Sequence, residues 1–150
     1  MIDGARGAVL SVLDEEGWPM VSRIALQTDA TGKPLALLSG LALHSAALIR
    51  DPRAALLIDA SAETARGADL TRARLSLQVR AERLPDGAEA EELRALWRQR
   101  DPKAAVYLGL PDFRFWRLVP RGGMLNAGFG RAYRLAAVDL ARPNGESPAG

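Results

Sequence analysis

The chain has 150 residues, 48% hydrophobic and 25% charged, with 20 Lys+Arg against 18 Asp+Glu and a formal net charge of +2. This composition predicts one globular domain and excludes a disordered tail, a collagen-like repeat and a helical membrane protein. There is no cysteine, which removes disulfide scaffolds, thiolate zinc sites, cysteine nucleophiles and iron–sulfur clusters. The single histidine, His44, argues against a multi-histidine metal site and against a Ser–His–Asp triad. Redox or acid–base chemistry would therefore be borrowed from a cofactor. The positive charge is almost all arginine, scattered along the chain among acidic residues, with Lys33 and Lys103 the lysines. Aromatic residues are 5% of the chain, too few for the stacking platforms of a nucleic-acid surface, so such a partner is not expected. The longest apolar runs, 35–38 and 54–58, are strand length rather than the roughly 20 residues that span a bilayer. Residues 1–7 carry no apolar targeting core, and a cytoplasmic location is expected.

The first half of the chain reads as β. Ala8–Leu13 is a short apolar run followed by the turn signal Asp14-Glu15-Glu16-Gly17. Pro19–Leu26 then alternates, with Met20, Ser22, Ile24 and Leu26 on one face and Val21, Arg23 and Ala25 on the other. A turn cluster over 28–34 leads to a third strand, Leu35–Ser39, which predicts an antiparallel meander. Gly40 breaks the pattern, and Leu41–Arg50 reads as a helix with Leu41, Ser45, Leu48 and Ile49 near a 3.6 period. Asp51-Pro52 stops it, because the residue before proline is pushed out of the helical region. Ala54–Asp59 is a buried-strand candidate, Ser61–Leu70 a loop, and Arg74–Leu84 a clearly alternating, half-buried strand.

After Pro85-Asp86-Gly87, Ala88–Arg100 has strong helix formers with Leu93, Leu96 and Trp97 on one side. Asp101-Pro102 repeats the earlier stop, and Ala104–Leu108 reads as a short helix. Phe113–Val119 and Gly123–Gly128 are predicted as separate strands joined by a turn at Pro120-Arg121-Gly122-Gly123, with Arg131–Leu140 as one more strand. Residues 143–150 read as a flexible tail. Six to eight strands with helical insertions, no βαβ alternation and no GxGxxG after a strand predict a mainly β fold, an antiparallel β-barrel over 1–142.

The segment Leu38-Ser39-Gly40-Leu41-Ala42-Leu43-His44-Ser45 takes a strand into a helix start, where free N–H groups, His44 and the two serines could hold an anion. Equally, Ser39 could simply cap the helix and His44 face solvent. Arg23, between apolar neighbours on a strand, suits phosphate through its guanidinium fork, or reaches water at a strand edge. Gln78 could aim an amide at a heterocycle, and Trp116 and Phe129 could pack on a ring or simply fill the core.

Pro19-Met20-Val21-Ser22-Arg23-Ile24-Ala25, Leu37-Leu38-Ser39-Gly40-Leu41-Ala42-Leu43-His44-Ser45, Asp51-Pro52-Arg53-Ala54-Ala55-Leu56-Leu57, Arg74-Leu75-Ser76-Leu77, Tyr107-Leu108-Gly109-Leu110-Pro111-Asp112-Phe113 and Gly128-Phe129-Gly130-Arg131-Ala132 follow an order that resembles a known group. It is the pyridoxamine 5′-phosphate oxidase-like, FMN-binding split-barrel superfamily, nearest its haem-utilisation branch. The resemblance extends to about residue 133. It implies a homodimer of split barrels with FMN in clefts between subunits, and a flavin-dependent oxidoreductase. The alternative is a haem- or flavin-binding protein for storage, transfer or sensing. Carried over by residue, Arg23 would meet the FMN phosphate, Ile24 and Ala25 would line the ring through backbone, and Leu38 and Ser39 would sit beside it. His44 and Ser45 would hold phosphate, Gln78 would reach in from the partner subunit, and Trp116 would match a late-strand tryptophan. The oxidase pattern's lysine is replaced near Gln27-Thr28, and its C-terminal Arg-Leu-His motif is missing. Oxidation of pyridoxamine 5′-phosphate is therefore not the expected activity, and no residue stands out as a general acid or base. The length fits one split-barrel protomer without the C-terminal domain of the haem-utilisation branch.

Overall fold

A computed structural model of the chain describes residues 1–60 and 71–141. The loop predicted over 61–70 and the tail predicted over 143–150 lie outside the described residues. The strands are β1 (Gly7–Leu13), β2 (Pro19–Thr28), β3 (Pro34–Ser39), β4 (Arg53–Asp59), β5 (Arg74–Arg83), β6 (Phe113–Asn126) and β7 (Ala132–Ala136). The helices are α1 (Leu43–Arg50), α2 (Ala88–Arg100) and α3 (Ala105–Leu108). The strands form one seven-stranded sheet in the order β3-β2-β1-β4-β5-β6-β7, and a further β3–β6 pairing closes the first six into a barrel. Every pairing is antiparallel, β1-β2-β3 is the expected meander, and β7 lies outside the ring on β6. The mainly β, split-barrel expectation holds.

Alternation explains the interior. Leu10 and Val12 of β1, Ile24 and Leu26 of β2, Leu56 and Ile58 of β4 and Leu75, Leu77 and Val79 of β5 all turn inward. There they meet Trp116 and Leu118 of β6, and α1 adds Ala47 and Leu48. A second cluster lies outside the barrel wall, where Leu35 and Leu37 of β3 and Phe115 of β6 pack under Ala90, Leu93 and Trp97 of α2 and Leu108 of α3. β3 is thus buried on both faces, which is why its sequence is an unbroken apolar run rather than an alternation.

Several boundaries and faces differ from the sequence expectation. α1 starts at Leu43 rather than Leu41, because the chain first turns through Gly40, whose N–H donates to the Asp112 carbonyl at 2.7 Å. A Cβ on Gly40 would lie 3.0 Å from that oxygen, a tight contact that favours glycine. The buried face of α1 is Ser45, Ala47 and Leu48, leaving Leu41 and Ile49 in solvent. On α2, Ala90 joins Leu93 and Trp97 in the core, and Leu96 is exposed. The strand expected over 131–140 is β7 followed by a 3-10 turn at Ala137–Leu140.

The main correction concerns β6, which runs unbroken from Phe113 to Asn126 instead of turning at 120–123. The register on β5 steps from Gln78↔Gly122 to Val79↔Pro120, leaving Arg121 as the extra residue of a bulge. A bulge tolerates proline, because the ladder is already interrupted there. The adjacent glycine serves close packing: a Cβ on Gly123 would lie 2.2 Å from the Ser76 carbonyl oxygen. The real β6–β7 hairpin is 127–131, where Gly128 and Gly130 take positive φ values of 114° and 72°.

The β2–β3 turn is fixed by a buried carboxylate. Asp29 accepts bonds from the Thr31 N–H and hydroxyl and from the Lys33 N–H, and pairs with Arg117 of β6 at 2.7 Å. Arg117 also reaches Glu89 of α2 at 2.8 Å, so one guanidinium ties turn, barrel and helix together. Burial pushes the Asp29 pKa up, but the bonds from Thr31, Arg117 and Lys33 outweigh it and hold the group below its ordinary value of 3.8.

Two outcomes are expected. Gly123→Ala should lose about 1–3 kcal/mol in urea denaturation, since the neighbour it strikes is backbone. Gly109→Ala, with nothing within 4 Å of the added carbon, should stay near wild type, and equal stability of the two variants would contradict the bulge packing. Because the folded pKa of Asp29 is depressed, its contribution is complete above the unfolded value and is lost as pH falls through the folded one. Asp29→Asn should therefore cost about 1–3 kcal/mol at neutral pH. The gap to wild type should narrow on acidification below about pH 4, as the unfolded chain's carboxyl takes up its proton. A gap independent of pH would show that the charge plays no part.

Candidate functional site

Strand parity decides where each candidate side chain points. Ile24 pairs with Ala8 and faces the barrel interior, so its neighbour Arg23, paired with Val9, faces out. Arg23 is exposed, and its guanidinium has no hydrogen bond or ion pair among the described residues. It lines a shallow depression of about 200 Å³ with Val9, Leu57 and Asp59. Ala25 also faces out, but is half-buried against the cluster under α2. Gln78 stands exposed on the outward face of β5, in register with Ala55 on one side and Gly122 on the other. Val21, Ser11, Ala55 and Gln78 follow one another across the sheet, as do Arg23, Val9, Leu57 and Ser76. Arg23 and Gln78 therefore share one face, on which Val21, Leu57 and Met124 remain exposed.

A second group gathers at the turn between β3 and α1. The Ser39 hydroxyl donates to the Asp112 carboxylate at 2.5 Å and accepts from the Leu41 N–H at 3.2 Å. The Ser45 hydroxyl donates to the Ser39 carbonyl at 2.6 Å, and Ser45 is only 2% exposed. The α1 N-cap is Ala42, without a side-chain cap bond, so Ser39 holds the turn rather than capping the helix. His44 is half-buried, and its Nδ1 shares a 3.1 Å hydrogen bond with the Ser22 hydroxyl. Its Nε2 is shielded from solvent and unpartnered. Burial lowers the His44 pKa below 6.5 and favours the neutral ring. Ser22 lies on the inward side of β2, opposite Leu10, so His44 and Arg23 stand on opposite sides of the same strand.

The remaining candidates belong to the core. Leu38 is buried in the barrel, and Trp116, 4% exposed, fills its interior. Within this chain neither side chain can reach a ligand at the surface. Phe129 is the opposite case, 92% exposed at the apex of the β6–β7 hairpin. Gln27, near the position of the oxidase pattern's lysine, is buried and its amide donates to the Trp97 carbonyl of α2 at 3.3 Å. Two residues of this region escaped the sequence reading. The alternation does place Ser22 on the face of Ile24 and Leu26, but gives no reason to single it out for the site. Asp112 gives no signal either, because nothing local ties it to Ser39, 73 positions away.

No family model matches the chain. A curated relative, "Non-canonical heme oxygenase HOZ, chloroplastic" of Arabidopsis thaliana, is 29% identical over 123 residues, covering 81% of this chain and 36% of its own length. This chain thus spans about a third of that relative. One solved structure shares 57% identity, with a TM-score of 0.87 and coverage of 95% of this chain and 91% of the other. A heme binding protein from Mycobacterium smegmatis superposes with a TM-score of 0.80 at 29% identity, over 91% of this chain and 55% of that one. The same fold recurs in a general stress protein 26-related protein of the pyridoxinephosphate oxidase family from Clostridium acetobutylicum. That match has a TM-score of 0.68 at 13% identity, over 93% and 91% of the two chains.

His44 is the single histidine, so its NMR titration can be read without assignment. The ring C2 proton should titrate with a midpoint below 6.5. With the folded pKa depressed, the unfolded chain takes up this proton first, so the His44 contribution to stability declines as pH falls through the unfolded value. A midpoint at or above 6.5 would contradict the buried, neutral ring.

Proposed function

We propose that this split-barrel protein of the pyridoxamine 5′-phosphate oxidase-like superfamily binds FMN on the uncovered outer face of its barrel, between two copies of the chain, as a flavin-dependent oxidoreductase. The observation that carries this reading is the shared face of Arg23 and Gln78, both unpartnered, separated by the small or apolar side chains of Val9, Ser11, Ala55 and Leu57. A flat ring with a charged tail suits such a surface: the residues between are low, and the guanidinium fork matches phosphate. FMN would supply hydride or electron transfer at its ring. The chain's own residues would hold the phosphate, orient the ring edge through Gln78 and exclude water. Exposed Val21, Leu57 and Met124 are the apolar side chains that a second copy would cover. Oxidation of pyridoxamine 5′-phosphate itself is not proposed, because Gln27 is spent on docking α2.

A second reading, haem binding for storage, transfer or breakdown, is favoured by the two relatives at 29% identity whose names refer to heme. Ligation by His44 is not part of it, since Nδ1 is engaged by Ser22 and Nε2 is shielded.

Adding FMN to the purified chain should quench flavin fluorescence and shift its absorbance. Arg23→Ala should weaken binding by about tenfold, the scale of one charge-assisted contact, and Gln78→Ala should weaken it less. Sedimentation should give a dimer that Val21→Glu dissociates. FMN binding unchanged in both site variants would overturn the proposed face. A Soret band gained with haem and no FMN uptake would select the second reading, and that band should survive His44→Ala.

A further inference from the structure

Helix α1 reverses the usual arrangement of a surface helix, which turns apolar residues to the core and polar ones to water. Its Ser45 is buried on the Ser39 carbonyl, and its His44 is half-buried on the Ser22 hydroxyl. Leu43 and Ile49, by contrast, are 75% and 66% exposed, and Ala46 between them also faces solvent. Spacings of three residues line these three up along one side of the helix. Ala47 and Leu48 already fill the barrel core on the other side. The helix thus has two apolar stripes, and the fold covers one of them.

The open stripe borders a groove of about 350 Å³ between α1 and the β1–β2 turn, into which Leu43, Ala46 and Met20 face. The turn supplies the other wall with Asp14, Glu15 and Glu16. The Asp14 carboxylate is spent on the turn itself, accepting the N–H groups of Glu16 and Trp18 at 2.9 and 2.8 Å. That fixes the loop carrying Glu15 and Glu16, both exposed, whose carboxylates have no hydrogen bond or ion pair among the described residues. Arg50, on the helix side, donates to the Leu13 carbonyl at 3.0 Å and pairs with neither glutamate. The groove lies across β2 from Arg23, because Met20 shares the inward side of that strand with Ile24. It is separate from the face assigned to the cofactor.

We propose that this groove docks a basic amphipathic helix of another protein, with apolar residues on Leu43, Ala46 and Ile49 and lysine or arginine side chains on Glu15 and Glu16. Charge complementarity selects that occupant. The chain as a whole is net positive at +2, so a basic partner is drawn here by the local carboxylates and not by overall charge. The same carboxylates repel a nucleic acid or an anionic lipid surface. A second copy fits less well, because its longest helix, α2, exposes Glu89, Glu91 and Glu92, like charges for Glu15 and Glu16. α1 offers about two helical turns, enough for partner anchors spaced three or four residues apart. The proposal stands whether or not the cofactor reading does.

The test is fluorescence anisotropy with the full chain and a labelled peptide of leucine, alanine and lysine patterned as an amphipathic helix. Saturable binding that weakens with added salt is expected, and the same peptide with glutamate for lysine should not bind. Glu15→Gln with Glu16→Gln should weaken binding by about tenfold, the scale of two exposed ion pairs lost together. Leu43→Ser with Ile49→Ser should weaken it by removing apolar contact, whereas Val106→Ser, at an exposed apolar residue of α3, should leave it unchanged. All these positions are exposed, so far-UV circular dichroism should match wild type. Failure of the lysine peptide to bind, or binding that survives both double variants, would overturn the proposal. Two other results would give the surface to a different occupant and overturn it as well. One is a wild-type assembly that Leu43→Ser with Ile49→Ser breaks in sedimentation. The other is binding to anionic vesicles that the same variant abolishes.

Discussion

The hydrogen bonds between β3 and β6 close the sheet on itself, and the rest of the molecule depends on that closure. Leu35 to Ser39 pair with Arg117 to Phe113, which removes the free edge of β3 and fixes an inside and an outside for every strand. In a sheet with side chains alternating at period two, a slip of one residue exchanges the two faces. The closure therefore determines that Ile24, Leu38 and Trp116 fill the barrel while Arg23 and Gln78 look outward. It also separates Arg23 from His44, adjacent in the functional expectation but divided by the thickness of β2. Asp29 and Arg117 reinforce the same closure from one end, linking the β2–β3 turn to β6 and α2.

Coverage of the barrel wall is lopsided, with consequences for function. α2 and α3 lie over β3 and the first half of β6, where Trp97 and Phe115 meet with ring centroids 5.7 Å apart. The helix is held by polar contacts as well as apolar ones: the Arg100 guanidinium donates to the Thr28 carbonyl at 2.8 Å and the Gln27 amide to the Trp97 carbonyl. The end of β2 is thereby committed to helix docking. A lysine near Gln27, as the oxidase pattern requires, would have to bury its charge beneath α2 at considerable cost. The opposite wall, β2 through β7, has no helix over it among the described residues and carries Arg23 and Gln78 with exposed Val21, Leu57 and Met124.

The barrel was legible in the sequence wherever a strand had one wet face. β2 and β5 alternate, and their inward residues are those that the pattern singles out, whereas β1 reads only as a short apolar run. α2 runs over the predicted Ala88–Arg100, because Gly87 and Asp101-Pro102 punctuate both ends. β6 was not legible as one strand. Proline and glycine mark a bulge with the same residues that mark a turn, and only the pairing with β5 distinguishes the two. Among the candidate residues, parity alone puts Arg23 outward, and the same argument could have kept Ile24 in the core. Resemblance assigned Leu38 and Trp116 by position along the chain, which carries no information about the face. Ser45 was recognisable as a polar residue near a helix start, but its bond to the Ser39 carbonyl depends on a turn whose geometry Asp112 sets from far away in sequence.

The polar groups of the chain fall into two populations. Those that serve the fold are paired: Asp29 with Arg117, Gln27 with Trp97, Ser45 with Ser39. The only imidazole belongs with them, its Nδ1 on Ser22 and its Nε2 walled off at the end of the barrel where α1 sits. A buried ring nitrogen without a partner costs about 1–3 kcal/mol, and charging it would cost more, so the lowered pKa of His44 is what its position demands. Among the described residues, the depressions on the outer wall are lined by arginine, amide and hydroxyl groups, with Asp59 as their carboxylate. Such a surface can hold and orient an anion or a ring through its guanidinium, amide and hydroxyl groups. On the reading proposed above, the reactive atom belongs to the molecule bound on this wall, and the strands contribute position.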